Sequence, residues 1–230
     1  MKVLFGTPTY KGITDTGYLD SLAATVTLCE ERGIQTQFVL VTGCCYVQEA
    51  RNKIVKQFMD SDADVLFFLD DDISWPAEKA LELIEMDDAV VAGVYPLKKA
   101  DPAFPVVIHT DADDRPLVRH DGLISATGVP GGFLRITRSV IEKLIESYPN
   151  QKYADYEEGE RTNELYDLFP QGVYNGRWVG EDYAFCRLWT DIMGTIWVVP
   201  DIDFIHAGFY GNYHEFLLNQ PGGSNHNKGE

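Results

Sequence analysis

Apolar positions change period along this chain, and the changes mark its elements. Short apolar runs over Lys2–Gly6, Ile34–Val41, Val65–Leu69 and Ala89–Val94 read as strands buried on both faces. Between them Leu19, Leu22, Ala23, Val26 and Cys29 keep helical spacing up to a stop at Gly33, and Val47, Ala50, Ile54 and Phe58 do the same. Pro76 opens a third helix that runs through Met86. Strand and helix therefore alternate, which predicts a parallel sheet in the first half.

The second half changes texture. Residues 96–122 are rich in Pro and Asp and read as an excursion with short strands. Leu123–Thr127 and Phe133–Ile136 are the next strands, and Thr137 caps a helix through Ser147. Residues 148–177 carry Tyr, Glu, Asn and Gly without a period, which predicts a lid or binding loop. Gly180–Met193 reads as a helix and Thr195–Val199 as a strand. Pro200–Gly208 reads as a strand end with acids and His206. The Gly-, Asn- and Ser-rich residues 221–230 read as a flexible tail. No repeat or linker divides the rest, so one α/β domain over 1–220 is expected.

Charge narrows the choice of partner. A net charge of −17 excludes non-specific attraction to nucleic acid or an anionic membrane as the main purpose. Arg51, Lys53 and Lys56 leave room for a local basic groove. No apolar run approaches the ~20 residues of a membrane span, and Met1–Phe5 is too short for a signal-peptide core. Cys29, Cys44, Cys45 and Cys186 show neither metal-site spacing nor a disulfide framework. A cytoplasmic protein is expected, in a host cytoplasm if viral.

The candidate chemistry begins at Asp70, Asp71 and Asp72, directly behind the apolar run Val65–Leu69. Ligands of open α/β sheets bind outside the carboxyl ends of strands. Three carboxylates there call for a hard divalent ion, Mg²⁺ or Mn²⁺. An acidic helix cap before Pro76 accounts for only one of them. If the strand continues, Asp70 and Asp72 share a side. The familiar phosphate loops, G-x-G-x-x-G after strand one and G-x-x-x-x-G-K-[ST], are missing. Glu181 and Asp182 open a helix, where they serve either as dipole partners or as a general base. His206 is either a satisfied core histidine or a ligand.

Here the chain resembles the nucleotide-sugar-dependent glycosyltransferases of the GT-A fold. Asp70-Asp71-Asp72 fits their D-x-D motif. Gly131-Gly132-Phe133, the helix after Thr137, Trp178-Val179-Gly180-Glu181-Asp182 and Phe185-Cys186-Arg187-Leu188 are similar to the β-1,4-galactosyltransferase-like and family 2 inverting members. His206-Ala207-Gly208 is similar to their H-x-G or H-x-R element. The resemblance implies a mixed, mainly parallel central sheet, with a nucleotide-sugar-binding half over 1–95 and an acceptor half over 96–220. It implies Asp70, Asp72 and His206 as metal ligands, and Asp182 as the base with Glu181 orienting the acceptor. Thr7, Pro8, Tyr10, Arg51, Asp70 and Asp71 are implied at the donor, and Gly131, Gly132 and Trp178 at the acceptor. The implied reaction is metal-dependent transfer from a nucleotide-diphosphate sugar, a UDP-sugar by preference, with inversion.

Two departures bear on specificity. The segment 148–177 is longer than that family's, and Thr42-Gly43-Cys44 offers no acid for the base or ribose. A glycan, a protein, a small molecule or a modified nucleic-acid base all stand as acceptors, with no membrane partner. The rival readings are a nucleotidyltransferase, for which Lys11-Gly12 is a poor phosphate loop, and a non-catalytic carbohydrate-binding module.

Overall fold

A computed structural model describes residues 1–157 and 160–220. The expected flexible tail lies outside them. In chain order the first half holds β1 (Lys2–Thr9), α1 (Thr16–Glu31), β2 (Gln35–Thr42), α2 (Val47–Asp60), β3 (Val65–Leu69), β4 (Ile73–Ser74), α3 (Ala77–Glu85) and β5 (Val90–Gly93). Then come β6 (Val107–Ile108), β7 (Ile124–Gly128), β8 (Phe133–Thr137) and α4 (Arg138–Ser147). Two hairpins follow, β9 (Lys152–Glu157) with β10 (Glu160–Tyr166) and β11 (Gly172–Tyr174) with β12 (Arg177–Val179). The chain continues through α5 (Glu181–Asp191), β13 (Ile196–Val199), β14 (Asp203–His206), β15 (Phe209–Asn212) and α6 (Tyr213–Leu218).

Eight strands form the central sheet, in the order β2-β1-β3-β8-β5-β13-β7-β6. Six of them run in one direction, and β8 and β7 oppose them. The sheet is therefore mixed but mainly parallel in strand direction. Period-two alternation within β3 explains why its run is wholly apolar: Leu66 and Phe68 pack on one face, and Val65, Phe67 and Leu69 on the other. The first face is covered by α2, α4 and α5 through Ile54, Phe58, Leu144 and Phe185. The second is covered by α1 and α3 through Tyr18, Leu81 and Ile84. Each such side chain contributes roughly 1.5–3 kcal/mol on burial.

The segment 148–177 is not the single loop its composition suggests. Its two hairpins leave most side chains exposed, so neither face imposes an apolar period. What anchors it is Leu165, Leu168 and Phe169, all buried. Phe169 stacks on Phe185 at 4.8 Å and meets Phe68 edge-on at 5.3 Å.

A separate three-stranded sheet, β15-β14-β4, sits at the end of β3. Its register places His206 opposite Ile73 and Ile205 opposite Ser74. Ala207 and Gly208 form the two-residue turn between β14 and β15, at φ of 48° and 89°. Positive φ at both positions is what a tight hairpin of this hand requires. Gly208 thus serves the turn; no neighbouring backbone or side chain crowds it.

Candidate active site

The hydrogen-bonded strand stops at Leu69, and the chain turns through Asp71 and Asp72 before β4. Asp70 N–H still donates to the Gly132 carbonyl at 2.9 Å. Beyond it two outside groups pin the turn: Asp15 N–H donates to the Asp71 carbonyl and Ala207 N–H to that of Asp72, each at 2.9 Å. The strand does not continue, so Asp70 and Asp72 do not share a side. They go to two different clusters.

Arg51 makes the first. Its guanidinium is 2% exposed, stacked over Phe68 and Phe169. Nη1 donates to the Gly131 carbonyl at 3.0 Å and Nη2 to Asp70 Oδ1 at 3.1 Å. Nε lies 3.7 Å from Asp182 Oδ1 and 3.8 Å from Glu181 Oε1, too long for hydrogen bonds. Tyr95 O–H donates to Asp70 Oδ2 at 2.8 Å and accepts from Gly132 N–H at 3.2 Å. Burial and the attraction of Asp70, Asp182 and Glu181 act in opposite senses on Arg51, and the carboxylates prevail, raising its pKa. Arg51 was expected at the donor, on its diphosphate or its nucleoside; the structure places it inside the fold as a counter-cation for three acids.

The two glycines are explained by crowding. A Cβ at Gly131 would sit 2.6 Å from Asp182 Oδ1, and one at Gly132 would sit 2.1 Å from Asp70 Oδ2. The carboxylates rest directly on this backbone. Asp182 is the second residue of α5, whose N-cap is Gly180. Burial first, then the nearby Glu181 and Asp70 charges, push its carboxyl up to about 7 against the opposing pull of Arg51. Its Oδ1 is buried and has no hydrogen-bond partner among the described residues, so the exposed quarter of the side chain belongs to its other atoms.

The second cluster is Asp72, His206 and Lys98. His206 Nδ1 lies 2.7 Å from the Pro96 carbonyl, which can only accept, so Nδ1 carries the proton. In the neutral ring Nε2 then turns its lone pair on Asp72 Oδ1, 3.3 Å away. Two acceptors facing each other at that distance want a cation between them, a proton or a metal. Nitrogen and carboxylate oxygen together suit Mn²⁺ or Mg²⁺. Asp72 Oδ2 accepts from the Lys98 ammonium. With a proton between Nε2 and Oδ1, the hydrogen bond from His206, followed by that from Lys98, holds the Asp72 carboxyl down at about 2.

The expected third ligand does not join this pair. Asp70 spends both oxygens on Arg51 and Tyr95, and among the described residues no three His, Cys, Asp or Glu side chains converge to hold an ion. Tyr95 instead links the clusters, with its ring edge-on to His206 at 4.9 Å. Tyr95, Pro96 and Lys98 went unremarked in the sequence. Their signal was position, directly behind β5, at the same end of the sheet as the aspartates.

A cleft of about 530 Å³ opens beside the aspartate turn, lined by Pro8, Tyr10, Cys45, Asp71 and Asp72 among others. Tyr10 is 62% exposed there. Burial raises the Asp71 carboxyl against the Thr9 hydrogen bond that lowers it. Thr7, expected in the same cleft, is buried with its hydroxyl 2.6 Å from that of Tyr18. Trp178 lies exposed on the β11–β12 hairpin, just ahead of Glu181. The basic groove is not formed. Lys53 pairs with Glu49 and Asp155, Lys56 with Asp60, and Arg51 is buried.

No protein-family model matches the sequence, and no curated protein does. Solved structures do match. GalNAc-T7, crystallised with UDP, GalNAc and Mn²⁺, aligns over 92% of this chain with a TM-score of 0.50 at 11% identity. The fold is GT-A. The alignment spans 44% of GalNAc-T7, less than half its length. S. aureus TarS 1-349 in complex with UDP aligns at a TM-score of 0.44 and 13% identity, over 86% of this chain and 58% of that one. A glycosyltransferase involved in glycosylation of the major capsid of PBCV-1 aligns at 0.34 and 12%, over 66% and 68%. Among the described residues no helix is long and apolar enough to cross a membrane.

Proposed function

We propose that this chain transfers a sugar from a nucleotide-diphosphate donor to an acceptor hydroxyl, with Asp182 as general base and with inversion. The observation that carries this reading is Asp182 itself. It is a carboxylate in the first turn of α5 in a GT-A fold, seated on the Gly131 backbone, with its proton affinity raised close to neutrality. A base takes a proton from an attacking hydroxyl most effectively when its pKa lies near the working pH. The acceptor oxygen gives its proton to Asp182 as it bonds to the anomeric carbon, and the sugar–phosphate bond breaks on the opposite face. Attack opposite the leaving group inverts the centre. Glu181, at the same helix start, orients the acceptor, and Trp178 offers it an apolar face.

Pro8, Tyr10 and Asp71 border the cleft for the nucleoside. Asp72 and His206 would hold a divalent ion, which neutralises charge on the departing diphosphate. UDP in the GalNAc-T7 structure supports a uridine donor.

The test is a panel of UDP-sugars with Mn²⁺, followed by UDP release and by NMR of the sugar product. Release is expected, with an inverted anomer. Asp182→Asn should lower turnover by roughly 10²–10⁴, while UDP affinity by calorimetry stays nearly unchanged. A retained anomer or a fully active variant would overturn the assignment of Asp182.

A further inference from the structure

The cleft has an electrostatic problem. Among the described residues Asp15, Asp71 and Asp72 line it against the single cation Lys11, in a chain of net charge −17. A diphosphate brought to that wall meets like charge, and a closely placed like charge costs binding. Cations must therefore enter with the donor or move to it.

Lys98 is built to move. Its ammonium pairs, among the described residues, with Asp72 alone, and its side chain is 47% exposed. It stands on a short loop closed by a hydrogen bond from Leu97 N–H to the Ala103 carbonyl at 2.8 Å. A lysine is a hydrated point charge on a four-carbon stem, so one partner is exchanged for another at little structural cost. The Asp72 carboxylate it neutralises is also the one that faces His206 Nε2. A divalent ion there would satisfy Asp72 more fully than an ammonium does, and would free Lys98 for the diphosphate that the ion accompanies.

We propose that Lys98 is a displaceable cation of the donor site. It holds Asp72 in the metal-free protein, yields that carboxylate to the divalent ion, and then pairs with the donor's diphosphate. This rests on reading the cleft as a nucleotide-sugar site. It makes Lys98 a residue of donor binding that competes with the metal in the absence of donor.

Competition followed by cooperation gives two effects of opposite sign. Lys98→Met should bind Mn²⁺ alone roughly two- to fivefold more tightly, the usual worth of one partly exposed ion pair. In saturating Mn²⁺ the same variant should bind UDP weaker by a similar factor, and Lys98→Arg should restore UDP binding. Electron paramagnetic resonance of free Mn²⁺ and calorimetry with UDP read the two affinities without any turnover. A variant that merely loosened the fold would weaken both. Weakening of both, or no change in either, overturns the role of Lys98 while the donor site stands. If the unaltered chain binds neither Mn²⁺ nor UDP, the reading of the cleft falls and this inference with it.

Discussion

Arg51 and Lys98 each place a cation on an aspartate of one short turn, and they do it in opposite ways. Arg51 is 2% exposed, planar, and shared among Asp70, Asp182 and Glu181. Lys98 is half-exposed and holds Asp72 by one hydrogen bond. An arginine inside a fold makes a fixed scaffold, because its fork is pre-organised and its charge is never given up. A lysine at a rim is exchangeable. The turn after β3 thus separates a permanent charge cluster, which seats the proposed base, from a replaceable one, which faces the cleft.

The largest effect should follow from removing the permanent cation. Arg51→Met leaves Asp70, Asp182 and Glu181 crowded without a counter-charge, and breaking a buried pair costs about 3–5 kcal/mol. Urea denaturation should show that loss, whereas Lys98→Met should change stability by less than about 1 kcal/mol. Equal losses at the two positions would erase the distinction between scaffold and rim.

Next in size is the pH dependence of the same cluster. Folding raises the Asp182 carboxyl from 3.8 to about 7. The folded state then binds more protons than the unfolded state between those values, so stability falls as pH rises through that window. The expected loss is on the order of 4 kcal/mol, and Asp182→Asn should flatten that slope. Catalysis should move the other way, rising as Asp182 ionises. A stability that climbs from pH 4 to pH 7 by the same amount in both proteins would show that Asp182 carries no such burden.

How far the sequence foretold this arrangement depended on what each residue answers to. The β3 run and the acids behind it were legible because apolar length and a charge cluster are local signals. The start of α5 at Glu181 was legible for the same reason. The fate of Asp70 and Asp72 was not, since period two predicts a shared side only while the strand continues, and here it ends at Leu69. Arg51 was readable in retrospect: Val47, Arg51, Ile54 and Phe58 fall on one helical stripe, and a charge on an apolar stripe is a buried charge. The hairpins of 148–177 left no period because few of their side chains meet the core. Lys98 and Pro96 act through partners far along the chain, which no local pattern reports.

Between the two clusters stands Tyr95, whose hydroxyl serves Asp70 and the Gly132 amide at once. Tyr95→Phe keeps the ring against His206 and strips both groups of a partner. An unsatisfied buried group costs about 1–3 kcal/mol, so a loss in that range is expected. The Mn²⁺ affinity of Asp72 and His206 should hold, because neither bonds the hydroxyl. A fall in Mn²⁺ affinity alongside stability would mean the clusters are coupled more tightly than their hydrogen bonds suggest.

The smallest expected effect lies in the turn that presents His206. Ala207 and Gly208 both have positive φ, yet only one of them is glycine. A Cβ in the left-handed region costs roughly 1–2 kcal/mol, so Gly208→Ala should destabilise by about that much. Ala207→Gly relieves the same strain at the expense of unfolded-chain entropy, which takes back about 0.5–1 kcal/mol. A small gain in melting temperature is expected. Because Ala207 N–H holds the Asp72 carbonyl, Gly208→Ala should also loosen the approach of His206 to Asp72 and weaken Mn²⁺ binding. Arg51 and Asp182 touch no part of this turn, so the pH slope of stability should stay as it was. A change in that slope on Gly208→Ala would tie the rim to the scaffold after all.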